Sequence, residues 1–160
     1  MMRRVLLLFA VAAVPALGAQ QTSALIPPPY AEFRVDAISA RAFTTQAAAG
    51  VNIPMGIYVR LGVLGAVGAT GTASDYALSG RTDAIARFLF DPLRETPWAL
   101  SLGAGVSVPY EQGTRVRPLL TAVIDVEGKR RGAFTPALQV GLGGGVRVGV
   151  ALRRSPANRR

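Results

Sequence analysis

Trp98 to Tyr110, WALSLGAGVSVPY, alternates without interruption. Trp98, Leu100, Leu102, Ala104, Val106, Val108 and Tyr110 hold one parity, and Ala99, Ser101, Gly103, Gly105, Ser107 and Pro109 hold the other. A period of two places each set on its own face of a β-strand. One face is apolar from ring to ring, and its reverse is made of small residues. At roughly 3.3 Å per residue, the run from Trp98 to Tyr110 extends about 40 Å.

The same pattern recurs on both sides of this stretch. Thr135 to Arg153, TPALQVGLGGGVRVGVALR, sets Leu138, Val140, Leu142, Val146, Val148, Val150 and Leu152 against Gln139, Gly141, Gly143, Gly145, Arg147 and Gly149. It reads as one long strand, or as a hairpin turning at Gly143-Gly144-Gly145. Met55 to Gly71 alternates Ile57, Val59, Leu61 and Val63 with Tyr58, Arg60, Gly62 and Leu64. Its glycines, at about 1 kcal/mol each relative to alanine in a helix, decide for strand. Tyr76 to Phe90 and Arg115 to Glu127 read as strands, although the segment DAIARFLF also aligns Asp83 with Arg87 at helical spacing. Ala31 to Phe43 reads as a blurred strand. Thr44 to Pro54, with Gly50, Asn52 and Pro54 as breakers, reads as a loop or a distorted strand start.

Polar links at 71–75, 91–97, 111–114 and 128–132 separate these runs. The reading is all-β: an antiparallel up-and-down meander closing into a small barrel, which removes its edges. It has six strands as divided here, and up to eight if the glycine-rich stretches around Gly65 and Gly144 each hide a turn.

Residues 1–18 have the layout of a secretory signal peptide: Arg3 and Arg4, an apolar run from Val5 to Val14, and small residues before a cleavage point. Cleavage after Gly18 leaves small residues at both critical subsites, whereas cleavage after Ala19 would place Leu17 at one of them. Residues 19–30 form a proline-rich leader, 31–153 the β-barrel domain, and 154–160 a basic tail expected to be disordered.

The 160-residue chain has no cysteine, which excludes a disulfide framework, a thiolate metal site and a lipid-bearing cysteine. It also has no histidine, which removes Ser-His-Asp and Cys-His catalysis and histidine metal sites. The expectation is therefore a protein that is not an enzyme and takes no cofactor. Charged residues are only 17% of the chain, below the roughly 25–35% of a soluble surface. Something apolar is left outside, or the core is unusually large.

Alternation alone does not say which face is inside. A soluble barrel or sandwich would carry Thr, Lys, Glu and Gln on the face opposite its core. Here that face is Gly, Ser and Ala, interleaved with Arg34, Asp36, Arg60, Asp83, Arg87, Asp125, Gln139 and Arg147. Such residues fit the interior of a narrow barrel as an ion-pair network, because eight strands leave room only for side chains. A strand of about 40 Å tilted by about 40° covers about 30 Å of membrane, with Trp98 and Tyr110 as an aromatic girdle.

In this patterning the chain resembles the small outer-membrane β-barrel proteins of Gram-negative bacteria, over Ala31 to Arg153 plus the signal peptide. The resemblance implies a location in the cell outer membrane, a structural or surface-interaction role and a plugged lumen. The chain departs from that family where it ends Ala151-Leu152-Arg153 and a basic tail, without a terminal aromatic residue. The competing reading is a soluble exported β-barrel or sandwich, periplasmic or secreted, that binds an apolar small molecule.

Other candidates for chemistry are few. Asp125 and Glu127 share a strand face about 7 Å apart, and a lumen ion pair with an exposed strand end is preferred for them over an acid–base pair. The glycines at 141–145 lack the Lys-Ser/Thr and helix of a phosphate loop. Lys129, Arg130 and Arg131 form a basic loop that, facing outward, would meet lipopolysaccharide phosphates. The expected partner is outer-membrane lipid; export argues against nucleic acid.

Overall fold

The computed structural model describes residues 26–71, 76–111 and 116–154. Residues 1–25, 72–75, 112–115 and 155–160 lie outside the described residues, and with them the expected signal peptide, most of the expected leader and the expected disordered tail beyond Arg154. Eight strands follow in order: β1 (Tyr30–Ser39), β2 (Phe43–Pro54), β3 (Val59–Gly71), β4 (Tyr76–Leu89), β5 (Ala99–Glu111), β6 (Leu119–Glu127), β7 (Phe134–Leu142) and β8 (Val146–Arg154). Each pairs antiparallel with the next, and β8 returns to β1 with Val35 opposite Val150. The meander closes into a barrel with no free edge.

Several boundaries differ from the sequence reading; the strands read from Met55 and Arg115 begin at Val59 and Leu119. Thr44 to Pro54 is not a loop: it belongs to β2, paired along its length with β1 and β3. Its outward residues include Ala47 and Ala49, and its inward ones include Thr44, Gln46 and Ala48, so hydropathy contrast across the strand is weak. Gly50 is a packing requirement rather than a breaker, because a Cβ there would overlap the Val63 carbonyl oxygen and lie 2.6 Å from Leu64 Cα. Consequently Ala31 to Phe43 is not one strand; the chain turns at residues 40–42 and Phe43 opens β2.

The glycine stretch around Gly65 hides no turn, since Gly65 lies within β3 between Ala49 and Thr82. Gly143–Gly145 does turn, with Gly144 at φ 76°, separating β7 from β8. DAIARFLF is extended rather than helical: its residues up to Leu89 belong to β4.

An even number of strands brings Tyr30 and Arg154 to one rim, together with the connections 55–58, 90–98 and 128–133. The opposite rim carries the connections 40–42 and 143–145, together with the ends of β3 and β5 and the starts of β4 and β6. Lys129, Arg130 and Arg131 are thus exposed at the rim where the barrel chain begins and ends.

Burial follows parity, and its polarity is the reverse of a soluble core. The interior holds a few apolar side chains, among them Leu64, Ile85 and Val123, within a lining of buried arginines, carboxylates and amides. Leucine, valine, isoleucine and phenylalanine side chains cover the outside of all eight strands.

Candidate functional site

The interior is built by one rule, since every second residue of each strand points inward. Six arginines (Arg34, Arg60, Arg81, Arg87, Arg147 and Arg153) and five carboxylates (Glu32, Asp36, Asp83, Asp125 and Glu127) are buried there. Isolated burial of such charges costs several kcal/mol per ion, so each must find counter-charge and hydrogen bonds.

Toward the rim of residues 40–42, Asp83 is the hub. Arg34 donates from Nη2 to Asp83 Oδ2 at 2.8 Å, and Arg147 donates from Nη1 to the same oxygen at 2.9 Å. Ser107 donates its hydroxyl to Asp83 Oδ1 at 2.6 Å. Asp36 accepts from Arg34 Nε at 2.9 Å and also from Arg81.

Toward the termini rim, Asp125 and Glu127 organise a second cluster. Asp125 accepts from Arg87 Nε at 2.9 Å, from Arg153 Nη2 at 3.0 Å and from Gln139 Nε2 at 2.6 Å. Glu127 is shared by Arg60, Arg94 and Arg153. Glu32 accepts from Arg153 Nε and Asn52 Nδ2, both at 2.8 Å. Gln139 joins the clusters by accepting from Arg34 Nη1 at 2.9 Å.

Arg34, Asp36, Arg60, Asp83, Arg87, Asp125 and Arg147 are therefore all interior. Asp83 and Arg87 are not partners: the strand that points both inward also separates them, and each pairs with residues of other strands. Glu32, Arg81, Glu127, Arg153, Gln46 and Asn52 complete the lining without having been singled out as network members. Parity would have found most of them, because Glu32 shares a face with Arg34, Arg81 with Asp83, and Arg153 with Arg147.

Trp98 and Tyr110 lie on the outside, 65% and 45% exposed, at opposite ends of β5. Phe33 is exposed within β1, and most other exposed rings lie toward the two rims. Tyr58, Phe88, Phe90 and Phe134 are near Trp98's end, and Phe43 and Tyr76 are near Tyr110's. Tyr58 stacks on Phe88 at 5.8 Å between ring centroids, and Phe88 meets Phe90 edge-on.

The connection between β4 and β5 is folded by Asp91. Its carboxylate accepts from the Thr96 backbone N–H at 2.9 Å, the Thr96 hydroxyl at 2.8 Å and the Glu95 N–H at 3.0 Å. These donors, led by the Thr96 amide, hold the Asp91 carboxyl below its ordinary pKa. Among the described residues no group of His, Cys, Asp and Glu could hold a metal ion.

The class defined by these features is an eight-stranded antiparallel barrel with a charged interior and an apolar exterior. No protein-family model and no curated protein matches the chain. Among solved structures it is similar to the crystal structure of Neisserial surface protein A, with 16% identity and a TM-score of 0.47 over 79% of this chain and 94% of that one. It is also similar to the solution NMR structure of the de novo designed TMB2.3, with 14% identity and a TM-score of 0.46 over 80% of this chain and 94% of that one. Both likenesses concern fold alone, so function has to be argued from the barrel itself.

Proposed function

We propose that this chain is a non-enzymatic outer-membrane β-barrel of structural or surface-interaction type, exported by residues 1–18 and plugged by its interior ion pairs. The observation that carries the reading is the inverted distribution of polarity. Side chains such as Leu120, Leu138, Leu142 and Val150 are about half exposed or more, whereas Arg34, Arg87, Asp36 and Asp125 are at most 2% exposed. In water that arrangement leaves a continuous apolar belt unsatisfied. In a bilayer the belt meets acyl chains, the closed ladder satisfies every strand, and the rings at the two rims sit at the headgroups.

Bonds that cross the interior from β1 to β4, β4 to β6 and β6 to β8 favour a plugged lumen over the deep apolar hollow of a soluble carrier. Lys129, Arg130 and Arg131, exposed at the termini rim, are the proposed contact with anionic lipid phosphates. Lipopolysaccharide is their partner if that rim faces outward.

Fractionation tests the location. The protein is expected in the outer-membrane fraction, extractable only with detergent and heat-modifiable on a gel; recovery from a detergent-free periplasmic extract would refute the reading. For the loop, replacing all three basic residues with Gln should weaken binding to lipopolysaccharide micelles, and an unchanged affinity would remove that contact.

A further inference from the structure

The termini rim contains a feature that the barrel scaffold does not require. A cavity of about 210 Å³ opens there, between the inner wall of the barrel and the β4–β5 connection. Arg60, Arg94, Arg130, Arg153 and Arg154 line it against the single carboxylate of Glu127. Its other wall is apolar, with Ile57, Leu89 and Leu93 among its residues.

Charge is unbalanced inside this cavity. Arg60 and Arg94 both pair with Glu127, and among the described residues neither has another carboxylate partner. Arg153 takes a share of the same carboxylate while also bonding Glu32 and Asp125. Arg94 and Arg154 are exposed at the cavity mouth, and a second anion beside Glu127 would form charge-assisted hydrogen bonds with guanidiniums that one carboxylate does not balance.

We propose that this cavity binds a small organic carboxylate with a short apolar stem, its head on Arg60 and Arg94 and its stem against Ile57, Leu89 and Leu93. The volume sets the scale, since it falls below the roughly 300–1,000 Å³ of pockets for drug-sized ligands. The bidentate fork of arginine suits a planar carboxylate. The cavity shares Arg130 with the basic loop, and a variant at Arg94 and Arg154 leaves that loop intact, so the two contacts fail separately.

The test uses the full mature chain, labelled with ¹⁵N and folded in zwitterionic micelles, titrated with octanoate. The Gly56 amide, which lines the cavity, and the Arg94 Nε–H should shift along a saturable curve. 1-Octanol and inorganic phosphate are the controls for stem alone and charge alone, and each should bind at least tenfold more weakly. Arg94→Gln combined with Arg154→Gln should weaken octanoate at least tenfold while the far-UV spectrum and amide dispersion stay those of the folded barrel. Both arginines are exposed at the rim, which makes the pair tolerable to the fold. A linear, unsaturable response, octanol or phosphate matching octanoate, or a folded double variant with undiminished affinity would each overturn the proposal.

Discussion

Asp125→Asn is the sharpest probe of the interior. The wild-type carboxylate lies between Arg87 and Arg153, with Gln139 and Ser101 also donating to it. The consequences for the two arginines differ. Arg153 keeps Glu32 and Glu127. Arg87 keeps only an amide oxygen of Asn52 at 3.3 Å and a carboxylate oxygen of Glu32 at 3.7 Å, the latter beyond hydrogen-bond reach. Removing one partner of a buried pair costs about 3–5 kcal/mol, because the other charge stays buried without compensation. The expected loss lies in that range and arises mainly at Arg87. Adding Arg87→Met removes the stranded charge, so the double variant should be more stable than the sum of the two single losses by about 1–3 kcal/mol. Reversible urea unfolding from lipid vesicles measures both quantities, with Trp98, the chain's one tryptophan, as the fluorescent reporter. A loss below about 1 kcal/mol for Asp125→Asn, or strict additivity with Arg87→Met, would refute the claim that these charges depend on each other.

Three further outcomes test other levels of the structure. Gly149→Ala should destabilise the barrel by about 1–3 kcal/mol in the same assay, since a Cβ there would overlap Asp36 Oδ1 and force a held side chain to move; wild-type stability would mean the lining is loosely packed. Leu138→Arg, at the middle of β7 and pointing outward, should cost about 2–4 kcal/mol in a bilayer, and a neutral result would contradict lipid contact. The Asp91 carboxyl, monitored by NMR, should titrate below the ordinary aspartate range. Because its folded pKa is depressed, its contribution to loop order is present above the unfolded value and lost as pH falls through the folded one. Thr96→Val should move that titration upward.

The strands that could be read from sequence were those with large contrast between faces. β5 and the run that becomes β7 and β8 set leucines and valines against small or polar residues, so periodicity marked them as extended while leaving open whether Thr135 to Arg153 is one strand or two. β2 escaped because alanine and threonine on both faces give a period of two almost no amplitude, and Gly50 and Asn52 resemble punctuation. Both residues have interior reasons instead: Gly50 admits Leu64, and Asn52 bonds Glu32 and Arg87. The charged lining was visible as single residues of the inner parity. Its pairings were not, because Arg34 reaches Asp83 across the barrel and Arg153 reaches Glu32 from the far end of the sequence.

By itself the sequence determined the all-β class, the two alternating side-chain sets of the legible strands, and the absence of histidine and cysteine, since side-chain parity and residue inventory are local properties. Only the tertiary structure decided that there are eight strands, that β8 closes on β1, and that three guanidiniums converge on Glu127 beside an apolar wall. Closure sets which distant residues share the narrow interior, and charge balance there depends on three-dimensional neighbours rather than on spacing along the chain. For the stretch from Trp98 to Tyr110, periodicity supplied a strand with two faces; the closed barrel turned Ser101, Gly103 and Ser107 toward the ion pairs and left the two rings outside.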